Sequence, residues 1–148
     1  MTLTGGETPL VRIYTSPSCS SCRKVKKWFE IENIPFEERN IFSATLNEIE
    51  LKDMLSKTEN GTEDIISTRS KIIKDQNVDI ESMSISELLK FIRQNPSILK
   101  RPIMVDERRV QVGYNEEEIR TFIPISRRYK EIVKIPLEAE ENDPNSIE

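Results

Sequence analysis

A short β-branched run leads directly into two cysteines at the opening of a helix, and this junction constrains the architecture more than any other feature of the chain. Leu10-Val11-Arg12-Ile13-Tyr14-Thr15 reads as a strand. Ser16-Pro17-Ser18 breaks it. From about Cys19 to Glu32 the spacing of Val25, Trp28, Phe29 and Ile31 predicts a helix with those residues on its apolar side. Asn33-Ile34-Pro35 ends that helix, and residues Phe36 to Ile41 read as a second strand. A strand, helix and strand of this length imply a parallel pair joined by a right-handed crossover.

The next section reads as helical. Thr45 and Glu48 have the spacing of a capping box, opening a helix to about Lys57. Glu59-Asn60-Gly61-Thr62 is a turn in which Gly61 is free to take positive φ. Ile65, Ile66, Ile72 and Ile73 give one further helix its apolar spacing. Ser84 and Glu87 form a second capping box ahead of Leu88, Leu89 and Ile92, and that helix stops near Asn95-Pro96. Ile103–Val105 and Arg109–Val112 then read as strands of a hairpin around Asp106-Glu107-Arg108. Asn115 is placed to cap a last helix that has Glu118 at its third position and buries Ile119, Phe122 and Ile123. Beyond Pro136 the tail is acidic and aperiodic, the composition of a disordered segment. This order predicts an α/β, thioredoxin-like fold with a mixed four-stranded sheet. The core covers 10–42 and 98–125, with an inserted helical lobe over 43–97, followed by a helix end and tail over 126–148.

Composition narrows the chemistry. The 148 residues suit one compact domain, and 32% charged with 36% hydrophobic residues is too apolar for disorder throughout. A net charge of -4 exerts no strong pull on nucleic acid as a whole. Arg101, Arg108 and Arg109, and again Arg127, Arg128 and Lys130, cluster locally and read as solvated surface. No stretch approaches the roughly 18–20 apolar residues of a membrane span, so no membrane partner is expected. The N-terminus has no signal-peptide pattern, and the cytoplasm is the expected location. There is no histidine, which removes Ser–His and Cys–His catalytic pairs and the commonest metal ligand. Two thiolates alone leave a zinc site half filled, so neither metal nor cofactor is expected.

The cysteines carry the chemistry. In a reducing compartment two cysteines are poor evidence for a structural disulfide. CxxC after a strand and at the opening of a helix instead points to thiol–disulfide exchange. Unpaired N–H groups and the helix dipole favour negative charge at Cys19, and Arg23 and Lys24 in the next turn add positive potential. Cys22, three residues on, reaches the same face of the first turn and is the expected resolving thiol. Arg101-Pro102 stands where thioredoxin-like domains often carry a cis proline facing the cysteines. From there Arg101 would aim its guanidinium at a thiolate or a bound anion.

Several long motifs, in order, resemble one family: Tyr14-Thr15-Ser16-Pro17-Ser18-Cys19-Ser20-Ser21-Cys22-Arg23-Lys24, then Glu38-Arg39-Asn40-Ile41-Phe42, then Asn60-Gly61 with Ile65-Ile66-Ser67-Thr68-Arg69-Ser70, then Arg101-Pro102-Ile103 and Gln111-Val112-Gly113-Tyr114-Asn115-Glu116. From about Val11 to Phe122 the chain is similar to the Spx-type redox-responsive transcription regulators, within the wider arsenate reductase (ArsC-like) family. The resemblance implies a non-enzymatic regulator that binds the C-terminal domain of the RNA polymerase α subunit and controls thiol-stress genes through a Cys19–Cys22 disulfide. It implies that Gly61 belongs to the surface in contact with that α-subunit domain, that Arg69 couples the redox state to it, and that Arg101 lies near the disulfide. It also implies promoter DNA as a partner only within the polymerase complex, and the ClpXP protease with an adaptor. The acidic tail departs from the short tail by which such regulators are delivered to that protease. Separately, a protein docked beside promoter DNA could place a few basic side chains on phosphates, and Lys71 or Lys74 on the lobe are candidates.

Two alternatives stand beside this reading. An arsenate reductase uses one cysteine with a downstream serine and arginine, an upstream histidine and three arginines around the oxyanion. Cys19 and Arg23 match and Arg69 and Arg101 are candidates, but Thr15 stands for the histidine, Cys22 for the serine and Val112 for the third arginine. A general thiol oxidoreductase usually holds Gly-Pro or Pro-His between its cysteines, where this chain has Ser20-Ser21.

Overall fold

The computed structural model describes residues 11–43 and 46–129. The chain falls into two compact units, one ending at Asn115 and the other beginning at Glu116. The first holds a four-stranded sheet in the order β2-β1-β3-β4. Strand β1 (Val11–Thr15) runs parallel to β2 (Phe36–Asn40), with Ile13 opposite Glu38 and Tyr14 opposite Arg39. On its other side β1 is antiparallel to β3 (Ile103–Val105), which forms a hairpin with β4 (Val110–Val112). The hairpin turn closes on the Asp106 carboxylate, whose Oδ1 accepts the N–H groups of Arg108 and Arg109 at 2.8 Å each. The mixed sheet expected from the sequence is the one observed, with β4 starting one residue late.

Helix α1 (Ser20–Ile31) links β1 to β2. It buries Cys22, Val25 and Phe29, a stripe at i, i+3 and i+7. Phe29 meets Phe36 of β2 edge-on at 5.7 Å between ring centres. Ile31, expected on the apolar side, is 67% exposed. Two residues beyond Phe29 amount to about 200° of helical rotation, which turns Ile31 to the opposite side. The helix stops with Asn33 in the left-handed region at φ 59° and the Ile34 N–H returning to Phe29 O at 3.0 Å, a Schellman closure.

Residues 46–98 cover the other sheet face. Helix α2 (Glu48–Ser56) is capped by Asn47, whose side chain accepts the Glu50 N–H at 2.7 Å while Glu50 takes the Asn47 N–H at 3.1 Å. The capping box expected at Thr45 and Glu48 therefore sits two residues later, and Thr45 lies outside the described residues. The shift brings Leu51 and Met54 to the core and Glu50 to a buried site under the sheet.

The single helix expected around Ile65–Ile73 is two. Helix α3 (Thr62–Ile65) ends where Ile66 turns extended and pairs antiparallel with Leu99. Helix α4 (Lys71–Gln76) starts after a turn. Two backbone bonds, Ser67 N–H to Ile98 O and Lys100 N–H to Ile65 O, both at 2.8 Å, stabilise the interruption. Helix α5 (Ile85–Gln94) carries the expected Ser84–Glu87 capping box. Tyr14, Ile103 and Val105 from the sheet join Leu51, Met54, Ile65, Ile66, Leu88, Ile92 and Ile98 in one continuous core.

The second unit opens with a 3-10 helix over Glu118–Phe122, not the α-helix expected to start from an Asn115 cap. Glu117 precedes its first turn. Pro124 follows at once and biases Ile123 to extended backbone, leaving too few residues for an α-helical ladder. Ile119, Phe122 and Ile123 are buried as expected. The acidic tail lies outside the described residues. Among the described residues no helix is long and apolar enough to cross a membrane.

Candidate functional site

The end of β1, the loop 16–19 and the first turn of α1 bring Cys19 and Cys22 together. Ser18 is held in the left-handed region at φ 65°, a conformation that non-glycine residues seldom adopt outside tight turns. Cys19 follows as the helix N-cap, in extended backbone at φ -106° and ψ 111°. Its Sγ, at 3.2 Å, accepts the N–H of Cys22, the role a serine or aspartate oxygen usually fills at this position. Cys19 is half-buried, whereas Cys22 is 1% exposed.

The two sulfurs therefore face different surroundings. Burial pushes the Cys22 thiol from an ordinary 9.0 up to about 11, and its hydrogen bond to Cys19 helps to hold the proton. The Ser16 backbone N–H and the charge of Arg101 act in the opposite direction, without prevailing. The sulfur that meets water is Cys19, and the one that keeps its proton lies beneath it.

Arg101 stands within electrostatic reach of Cys22 and precedes Pro102 through a cis peptide bond. Its Nη1 also donates to Ser97 O at 3.4 Å. Arg23 is exposed in the first turn of α1, and its backbone N–H reaches Cys19 O at 3.2 Å.

Gly61 and Arg69 lie on either side of α3. Gly61 is the N-cap of α3 at φ 72°, so its expected positive φ is realised. Its N–H donates to Thr58 Oγ1 at 3.0 Å. Asp64 ties down the same turn by accepting the backbone N–H groups of Glu59 and Asn60 at 3.0 Å and the Asn60 amide at 3.2 Å. These bonds, the Asn60 N–H foremost, hold its carboxyl below the ordinary range against a small cost of burial. Arg69 is exposed on the turn between α3 and α4, not within a helix. The backbone rungs from Ile65 and Ser67 to Ile98 and Lys100 place this segment one residue from Arg101 along the chain. Lys100 Nζ adds a bond to Glu63 O at 3.0 Å.

Sequence reasoning assigns no role to a second polar group beside the thiols. The buried Thr15 hydroxyl donates to Glu38 Oε2 at 2.7 Å, and Lys26 Nζ meets the same oxygen at 2.9 Å. The available signal is the alternation of β1 and β2, which puts Ile13, Thr15 and Glu38 on one sheet face. Burial works against the Glu38 charge, but the bonds from Thr15 and Lys26 outweigh it and hold the carboxyl below its ordinary range.

The chain has relatives in sequence and in fold. The ArsC family profile matches residues 14–122. The global transcriptional regulator Spx of Streptococcus pneumoniae R6 is 52% identical over 130 residues, covering 88% of this chain and 98% of that protein. The global transcriptional regulator Spx 1 of Bacillus cereus is 56% identical over 115 residues, covering 78% of this chain and 88% of that one. In fold, the chain is similar to the arsenate reductase of Vibrio cholerae, with a TM-score of 0.64 and 21% identity over 78% of this chain and 99% of that one. At such identity the arsenate reductase speaks for the fold alone, whereas the regulators match in sequence over most of their length. The chain therefore belongs to the ArsC family and, within it, to the Spx-type regulators.

Proposed function

We propose that this protein is a redox-gated global transcription regulator that reads thiol stress through Cys19 and Cys22 and reports it to RNA polymerase. The observation that carries the reading is the pairing of a half-buried N-cap cysteine with a buried partner in the first turn of α1. It occurs in a chain 52% identical to a global transcriptional regulator.

The switch begins when the Cys19 sulfur, as thiolate, attacks one sulfur of a small oxidised disulfide. A mixed disulfide forms and one small-molecule thiolate leaves. Cys22 then loses its proton to water and attacks Cys19 Sγ, expelling the second. The protein loses two electrons and two protons, and the oxidant becomes two thiols. Arg101 supplies positive potential as Cys22 ionises.

The partner is the C-terminal domain of the polymerase α subunit, engaged through Gly61 and its turn, with Arg69 and the 65–67 to 98–100 rungs as the link back to Arg101. Promoter DNA is met only within that complex. All of this takes place in the cytoplasm. Residues 43–97 act as the lobe that carries the contact, on a core of 10–42 and 98–125.

A pull-down of that polymerase domain by wild type and Cys19→Ala, before and after diamide, tests partner and gating together. Oxidation is expected to change capture by wild type and leave Cys19→Ala unchanged. Absence of capture in every arm overturns the reading. Turnover of arsenate with a glutaredoxin system is expected to stay at background, and robust turnover would overturn the choice of regulator over enzyme.

A further inference from the structure

We propose that Glu38 is a positioning residue for the thiol pair, a clasp that holds the end of β1 and the start of α1 in the geometry in which Cys22 can attack Cys19. This inference rests on the disulfide-switch reading. The clasp closes around the loop that carries the thiols. On one side Thr15, the last residue of β1, donates its buried hydroxyl to Glu38 Oε2 at 2.7 Å. The next residue, Ser16, donates its backbone N–H to the Cys22 sulfur. On the other side Lys26, one helical turn beyond Cys22, meets the same Glu38 oxygen at 2.9 Å. A single carboxylate oxygen thus gathers both ends of residues 16–22.

Two residues within that span do little to hold it. Ser18 occupies a conformation disfavoured for its side chain, and Pro17 has no N–H to offer. The Cys22 attack needs its sulfur aligned behind the breaking bond, and small displacements of reacting atoms cost large factors in rate. Lys26 and Glu38 are both partly exposed, so their pairing by itself adds little to overall stability. Its contribution is local geometry.

The test follows conversion of the mixed disulfide at Cys19 to the intramolecular disulfide, after a pulse of oxidised glutathione, by quenched mass spectrometry. Glu38→Ala is expected to slow this second step about tenfold, with the first step at Cys19 within about twofold of wild type. Glu38→Gln keeps an acceptor for Thr15 and loses the ion pair, so it should recover part of the rate. The reversed pair Lys26→Glu with Glu38→Lys should recover more than either single change, because the Thr15 hydroxyl can accept as well as donate. Glu37→Ala, on the opposite sheet face, serves as the control and should match wild type. Second-step rates within twofold of wild type for both Glu38→Ala and Glu38→Gln overturn the clasp. So does a loss in Glu38→Ala that the reversed pair fails to relieve. If wild type itself stops at the mixed disulfide, the switch reading has failed instead.

Discussion

Two glutamates contact the same pair of strands from opposite faces of the sheet, and they do different work. Glu50 comes up from α2 and is buried, its side chain only 5% exposed. It accepts Arg39 at 2.7 Å, Arg12 at 3.5 Å, the Tyr14 hydroxyl at 3.1 Å and its own cap N–H at 3.1 Å. Glu38 lies on the α1 side, 40% exposed, with one hydroxyl and one ammonium on one oxygen. Burial, with the Glu50 carboxylate beside it, drives the Tyr14 hydroxyl well above its ordinary range despite the two arginines. The Glu50 cluster is a structural joint between sheet and helices, in which Glu50 is the shared buried acceptor while Arg12 also meets Asp53 at 3.2 Å and Arg39 meets Glu37 at 3.7 Å. The Glu38 cluster is a light fastening beside the reactive sulfurs.

The largest expected effect breaks the joint. Glu50→Ala leaves the buried Tyr14 hydroxyl without its acceptor, opens one arm of the α2 capping box and weakens two arginine pairs, and should cost about 2–4 kcal/mol in urea denaturation. A loss below about 1 kcal/mol would show that the cluster is no more than a surface pair. Next is Gly61→Ala. No atom lies within 4 Å of an added Cβ, so the cost is that of holding alanine at φ 72° and ψ -138°, a backbone conformation close to glycine-only, and should be about 1–3 kcal/mol. Ser84→Ala removes one arm of the α5 capping box and should cost about 1 kcal/mol, read from the same curves. Glu38→Ala should be the mildest, below about 1 kcal/mol.

The Glu38 fastening also responds to pH, with a definite sign. Its folded carboxyl is held below the ordinary 4.5, so its contribution is present above that value and fades as pH falls through the lowered one. Denaturation curves of wild type and Glu38→Ala should therefore converge in acid. A gap that widens there would place the effect on another group.

Much of the framework is readable from the residues in order. The Val11–Thr15 run, the Val25 and Phe29 spacing, the Ser84 box and the hairpin turn are local signals, each satisfied within a few residues. The misreadings lie where distant chain competes. Ile66 leaves its helical pattern because Ile98 to Lys100 offer it a strand partner. Asn47 takes the cap from Thr45 because that register brings Glu50 beneath Arg12, Tyr14 and Arg39. Ile31 counts as core in the linear pattern, although its angle on the helix already points away from Phe29. In the site, the thiol pair and Arg101 are legible as a motif, but the partners of Glu38 are not, because Thr15 and Lys26 belong to separate elements.

The sequence alone determined that two cysteines would open a helix after a strand, and that the helix would cross between parallel strands, because periodicity and helix-start chemistry are local properties. Only the tertiary structure decided that Cys22 is sealed from water while Cys19 is not, and that one carboxylate grips both ends of the loop between strand and helix. Burial and cross-strand bonding depend on which residues the fold brings together, and no stretch of sequence contains that by itself.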